Sequence, residues 1–121
     1  MIVAGFGFRA SAGPESLASA LARTGRHAPD ALATAEDKAG SRTFRSLAAW
    51  MALPVIGVSA AQIMAQRTLT QSPASLAARG TGSLAEAAAL AAAGPGARLL
   101  GPRVVSEDGC ATCALAEGGQ S

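Results

Sequence analysis

The run Ile2-Val3-Ala4-Gly5-Phe6-Gly7-Phe8-Arg9 decides how the rest of the chain folds. It is a short apolar stretch punctuated by glycine and closed by a cation, which suits a buried strand rather than a leader segment. Pro14 and Glu15 stand where a first helical turn tolerates proline and favours an acid, with Ser11 or Gly13 near the cap. Leu17, Ala20 and Leu21 then give one amphipathic stripe, which Gly25 terminates. A buried strand leading into a helix opens a β-α-β unit, so a parallel sheet is expected.

The pattern continues along the chain. Arg26 to Asp30 reads as a loop, and Ala31 to Thr34 as a weak second strand, because alanine is a poor strand former. A helix over about Ser41 to Ala52 places Phe44, Leu47, Ala48 and Met51 on one face, with Trp50 and Met51 expected in core or rim packing. Pro54 to Val58 is a third strand, and Ser59 caps a short helix through Gln66. Arg67 to Gly82 is polar and irregular, with room for a turn of helix after Ser72-Pro73. An alanine-rich helix runs from Ser83 to the stop at Gly94-Pro95-Gly96. Arg98 to Val105 and Ala111 to Ala116 flank Ser106-Glu107-Asp108-Gly109, a hairpin signal. The expected fold is a three-layer α/β/α single domain over residues 2–117. Its mixed sheet has about five strands, the early ones parallel and the C-terminal hairpin antiparallel. Residues 118–121 read as a flexible tail.

Composition narrows the function classes. Half the residues are apolar, but the aromatics are three Phe and one Trp, so the core must come from Ala, Leu, Val and Ile. A formal charge of +2, with scattered basic residues, lacks the footprint and stacking aromatics of a nucleic-acid binder. The longest apolar runs, Leu47 to Leu53 and Ala87 to Ala93, fall short of the ~20 residues that cross a bilayer. Cys110 and Cys113 are too few to staple a secreted scaffold. The expectation is a cytoplasmic protein with no membrane and no nucleic-acid partner.

Ligands of open α/β sheets bind at the carboxyl ends of the parallel strands. Arg9, Thr34 and Lys38 all stand at or just beyond such ends and should converge on one rim. Arg9 brings five fixed donors that suit a carboxylate. Lys38 follows Glu36 and Asp37, so it belongs either to a surface charge cluster or to a substrate acid group. Gly5 and Gly7 mark either a tight strand exit or a close backbone approach to a ligand. With Ala10 they match G-x-G-x-x-A, but Asp30 precedes the second strand, which is the wrong end for a ribose-binding acid.

The segment Gly80-Thr81-Gly82-Ser83-Leu84-Ala85-Glu86 combines a glycine loop with a helix start. Ser83 and Glu86 fit S-x-x-E, a reciprocal capping box. The amides left free around Thr81, Gly82 and Ser83 would suit an anion such as a ligand carboxylate. Cys110 and Cys113 form C-x-x-C on a return strand, where positions three apart face opposite ways, so they read as packing cysteines. His27 reads as an exposed loop residue. The chain shows no paired carboxylates, metal-ligand set or triad, so no cofactor and no catalytic residue is assigned.

Taken in order, these stretches resemble a known family. Gly5-Phe6-Gly7-Phe8-Arg9, Ala31 to Ala39, Leu53 to Val58, the T-x-S pair Thr70 and Ser72, the Thr81 to Leu90 block, Leu99 to Arg103 and Ala111 to Ala116 together resemble the CobE and CbiG C-terminal family of cobalamin biosynthesis. The resemblance covers almost the whole chain and implies the same α/β/α architecture. It implies a role in corrin-ring assembly, with a precorrin or corrinoid intermediate as ligand and other pathway enzymes as candidate partners. CbiG proteins are associated with opening the ring-A δ-lactone of cobalt-precorrin-5A. This chain departs from them at Lys38-Ala39-Gly40-Ser41 and at Phe8-Arg9-Ala10-Ser11, so the stand-alone CobE type is the closer match. On this resemblance Arg9, Lys38 and Arg103, with the Thr81 to Ser83 helix start, would hold the acetate and propionate groups of a corrin. Lactone hydrolysis and a purely structural partnership with pathway enzymes stay open as alternatives.

Overall fold

The computed structural model describes residues 1–25 and 28–118; His27 and most of the expected tail lie outside the described residues. Strand β1 (Ile2–Phe8) leads into α1 (Pro14–Ala22), β2 (Ala31–Ala35), the short α2 (Glu36–Ala39) and α3 (Arg42–Met51). Then follow β3 (Val55–Val58), α4 (Ala60–Met64), α5 (Pro73–Arg79), α6 (Leu84–Ala93), β4 (Arg98–Leu99), β5 (Val104–Val105) and β6 (Ala111–Glu117). The six strands form one sheet in the order β3-β2-β1-β6-β4, with β5 also pairing β6. β1, β2 and β3 are parallel, whereas β6 runs antiparallel to β1, β4 and β5. This is the expected mixed α/β/α sheet, five strands wide.

Alternation along β1 builds the two faces. Ala4 and Phe6 point to the layer of α1 and α3, where they meet Leu17, Phe44 and Leu47. Phe6 and Phe44 pack edge to face with centroids 5.8 Å apart, and Phe8 stacks on Phe44 at 6.0 Å. Val3 points the other way, into a cluster with Leu84, Ala87 and Ala88 of α6 and Ile63 of α4. Gly5 faces α6 as well. A Cβ there would collide with the carbonyl oxygen of Ala85 and come within 2.5 Å of Ala89 N. The small residues of β1 and α6 therefore let a helix backbone lie almost on the sheet, and they replace the bulky anchors that the composition lacks.

Three expectations change. The single strand expected over Arg98 to Val105 is broken into β4 and β5 by Gly101-Pro102-Arg103. Proline has no N–H for a ladder, and the Arg103 N–H turns to Glu86 instead, at 2.8 Å. Trp50 is 63 % exposed rather than packed, because it falls off the Phe44, Leu47, Ala48 stripe. The turn after Ser72 is a full helix, α5, with Pro73 at its first position. Gly118 is described, and its N–H donates to Met1 O at 2.9 Å. The hairpin turn is fastened by Asp108, which accepts from the hydroxyls of Ser106 (2.6 Å) and Ser16 (2.5 Å) and from Cys110 N. Those bonds hold its carboxyl down to about 2.

Candidate functional site

The carboxyl end of β1 and Lys38, just beyond β2, open into a crevice of about 430 Å³. Gly7 and Phe8 of β1, Thr112 of β6 and Leu84 of α6 line one side, and Ser75 and Arg79 of α5 line another. Four cationic residues line it: Arg9, Lys38, Arg79 and Arg103. Among the described residues its lining holds no carboxylate and no imidazole. Such a set attracts anions and offers two kinds of donor, the planar guanidinium fork and the compact ammonium.

Each cation is placed by a separate piece of the fold. The Arg9 backbone is pinned by its N–H to Cys110 O (3.0 Å) and by its carbonyl, which accepts from Ala12 N, while its side chain is exposed. Among the described residues no carboxylate lies within ion-pair distance of Arg9 or Arg103. The Lys38 ammonium donates to Phe8 O at 2.8 Å and sits 4.5 Å over the Phe8 ring, so it closes the end of β1. Burial and the neighbouring Arg79 hold Lys38 below its ordinary range, against the opposing pull of Asp37. Arg79 donates both arms of its fork to Asp37, at 2.9 and 3.1 Å. That bond, opposed by burial, lowers the Asp37 carboxyl.

Glu86 corrects the local reading of the helix start. Ser83 does cap α6, accepting from Glu86 N at 3.2 Å, but the Glu86 side chain does not reach back to complete a capping box. It is fully buried and accepts from Leu69 N (2.7 Å), Thr70 N (2.9 Å), the Thr70 hydroxyl (2.6 Å) and Arg103 N (2.8 Å). Burial alone would raise its carboxyl, yet the Thr70 hydroxyl and the three backbone donors outweigh burial and lower it. Glu86 thus joins α6 to the loop before α5 and to the strap that carries Arg103. A carboxylate inside an otherwise apolar helix was the available signal, since such a group needs partners when buried.

The crevice brings together Gly7, Arg9, Lys38 and Arg103 from the sequence reading. The remaining residues lie behind it. Gly5 is the contact point with α6, and the Thr34 hydroxyl donates to Phe6 O at 2.9 Å, pinning β2 to β1. Thr81, Gly82 and Ser83 are buried, with Gly82 packed beneath Thr70 O and Gln71. Gly7 leaves a gap that a Cβ would fill, at 2.9 Å from the Thr112 hydroxyl oxygen. Cys113 is buried in the core, which pushes its thiol up, while Cys110 lines the crevice and both are free. The sequence reading missed Arg79 and Ser75, which sat in a stretch read as irregular.

Among the described residues no helix is long and apolar enough to cross a membrane, and no cluster of three or more His, Cys, Asp or Glu could hold a metal ion. Residues 2–116 match the protein family described as Cobalamin synthesis G C-terminus. The chain is similar to the crystal structure of CobE, a protein from the cobalamin (vitamin B12) biosynthetic pathway, at 34% identity and a TM-score of 0.82, covering 96% of this chain and 89% of that one. It is also similar to cobalamin biosynthesis protein chiG from Agrobacterium tumefaciens str. C58, at 34% identity and a TM-score of 0.76, covering 99% of this chain and 100% of that one. No curated protein matches the chain.

Proposed function

We propose, from the premise that this chain belongs to the cobalamin synthesis G C-terminus family, that it holds a precorrin or corrinoid intermediate by the carboxylates at the ring's edge. Family membership and the two structural relatives make it a protein of cobalamin biosynthesis. The finer reading rests on one observation, the convergence of Arg9, Lys38, Arg79 and Arg103 on a single crevice.

Corrin precursors carry acetate and propionate groups around an apolar macrocycle. A guanidinium fork pairs with such groups through two parallel hydrogen bonds, and an ammonium pairs with them as a point charge. The crevice, near the small end of the ~300–1,000 Å³ range of ligand pockets, fits an edge of the macrocycle rather than all of it. Val105, Ala78 and Leu84 in the lining would give the ring apolar contact. The described residues of the lining hold no carboxylate or imidazole and are dominated by cations, which supports binding and presenting the intermediate over hydrolysing its lactone.

Titration with cobyrinic acid, a corrin with its acetate and propionate side chains free, tests this through the visible corrin bands. The wild-type protein should perturb the bands at one equivalent. Arg9→Ala should weaken binding by ~1.5–3 kcal/mol, as for a charge-assisted hydrogen bond, and leave the melting temperature unchanged because the side chain is exposed. Unchanged affinity would remove Arg9 from the site.

A further inference from the structure

Helix α5 forms part of the crevice and yet has no buried residue. Its principal neighbour is the short α4, not the sheet. On both sides the chain is tied down. Before α5, Thr70 is fastened to Glu86 by its N–H and its hydroxyl. After it, Thr81 to Ser83 are buried at the start of α6. Between those fixed points lie Ser72, whose N–H donates to Gly82 O at 2.9 Å, and Gly80 in the left-handed region at φ 69°.

Among the described residues one side-chain polar link, the Arg79–Asp37 pair, holds the far end of α5 beside its packing on α4. Arg79 lines the crevice, but both arms of its fork are occupied by Asp37, whose side chain is 64% exposed. On the same helix Ser75 also lines the crevice, and its hydroxyl is shut from solvent with no hydrogen-bond partner among the described residues. A group in that state lacks the partner that buried hydroxyls ordinarily find.

We propose that α5 is a flap latched by the Arg79–Asp37 pair, and that Arg79 exchanges Asp37 for a ligand carboxylate when the crevice fills. This deepens the corrin-binding reading and rests on it for the identity of the ligand. The Asp37 half of the pair stands in solvent, where water competes for its carboxylate, so the latch yields easily. The guanidinium fork fits an aspartate and a propionate equally well, which makes the exchange nearly balanced in energy. Once Asp37 is displaced, Lys38 and Arg79 stand side by side with no acid between them and the crevice, and a second carboxylate is drawn in.

Amide hydrogen exchange without ligand tests the latch. Asp37→Asn and Arg79→Gln should both speed exchange across residues 73–79 by about two- to five-fold, the range an exposed ion pair spans, and leave the sheet unchanged. Glu36→Gln removes the same charge beside the latch and should leave α5 as in wild type. Unaltered exchange in both latch variants would overturn the flap. Titration with cobyrinic acid then tests the exchange of partners. Asp37→Asn keeps all four crevice cations and should bind about two- to five-fold tighter, whereas Arg79→Gln should bind about ten-fold weaker or worse. Equal losses in both variants would mean that Arg79 only holds the helix, and would overturn the exchange. If wild-type protein takes up no cobyrinic acid, the corrin reading fails and the exchange of partners with it, while the latch is still decided by hydrogen exchange alone.

Discussion

Helices α6 and α5 flank the same crevice and follow one another in the chain, yet they are held in opposite ways. Every residue of α6 from Leu84 to Leu90 is buried, whereas α5 buries none. The first is seated on β1 through Gly5 and a row of alanines, with Glu86 gathering four donors beneath it. The second is held by a serine cap, the Ser72 N–H to Gly82 O bond, its packing on α4 and an ion pair at the surface. Small side chains packed on a sheet make the fixed half of the site, and weak polar links make the movable half.

The largest effect should come from breaking the fixed half. Gly5→Ala forces a methyl group into the α6 backbone, where no flexible side chain can give way. It should cost about 3 kcal/mol, at the upper end of overpacking penalties, as read by urea denaturation. Glu86→Gln comes next. The amide can accept on one side only and leaves buried donors unpaired, so about 2 kcal/mol should be lost. The pH dependence follows from the same group. Its carboxyl is lowered from an ordinary 4.5 in the folded chain, so its contribution is complete above that value and is lost as the pH falls through the folded one. Denaturation midpoints between neutral and acid pH should therefore fall steeply for wild type and more shallowly for Glu86→Gln.

A matched pair of cap deletions sharpens the contrast. Ser83→Ala should cost about 1 kcal/mol of global stability, because the buried start of α6 unfolds only with the sheet. Ser72→Ala removes the equivalent cap from α5, whose cap bond is long at 3.4 Å. Its global cost should stay within about 0.5 kcal/mol, while hydrogen exchange across residues 73–79 quickens. Equal global costs for the two caps would mean that α5 is as firmly seated as α6.

Much of the fixed half was legible in the sequence. Glycine punctuation in β1, the 3.6-residue stripes of α1 and α3, the alanine run of α6 and the Ser106 to Gly109 turn are local signals, and each produced its element. The bonds that shape the site are not local. Glu86 meets Thr70 across 16 positions and Arg79 meets Asp37 across 42, so spacing alone pointed Glu86 to the nearest cap and left Arg79 in an irregular stretch. Arg9 and Lys38 drew attention because strand ends mark the rim of an α/β sheet, Arg103 entered through the family resemblance, and all three line the crevice. Thr34 sat at such an end too, but the parallel pairing of β2 with β1 turned its hydroxyl onto Phe6 O rather than into the crevice.

The central claim is that the crevice reads carboxylates at the edge of a corrin. Its most direct test compares wild-type affinity for cobyrinic acid with that for the corresponding fully amidated corrin, over a series of salt concentrations. Four cations facing one ligand predict that the free acid binds at least ten-fold tighter at low salt, with the gap closing as salt rises. Equal affinities for the two corrins at every salt concentration would contradict the account.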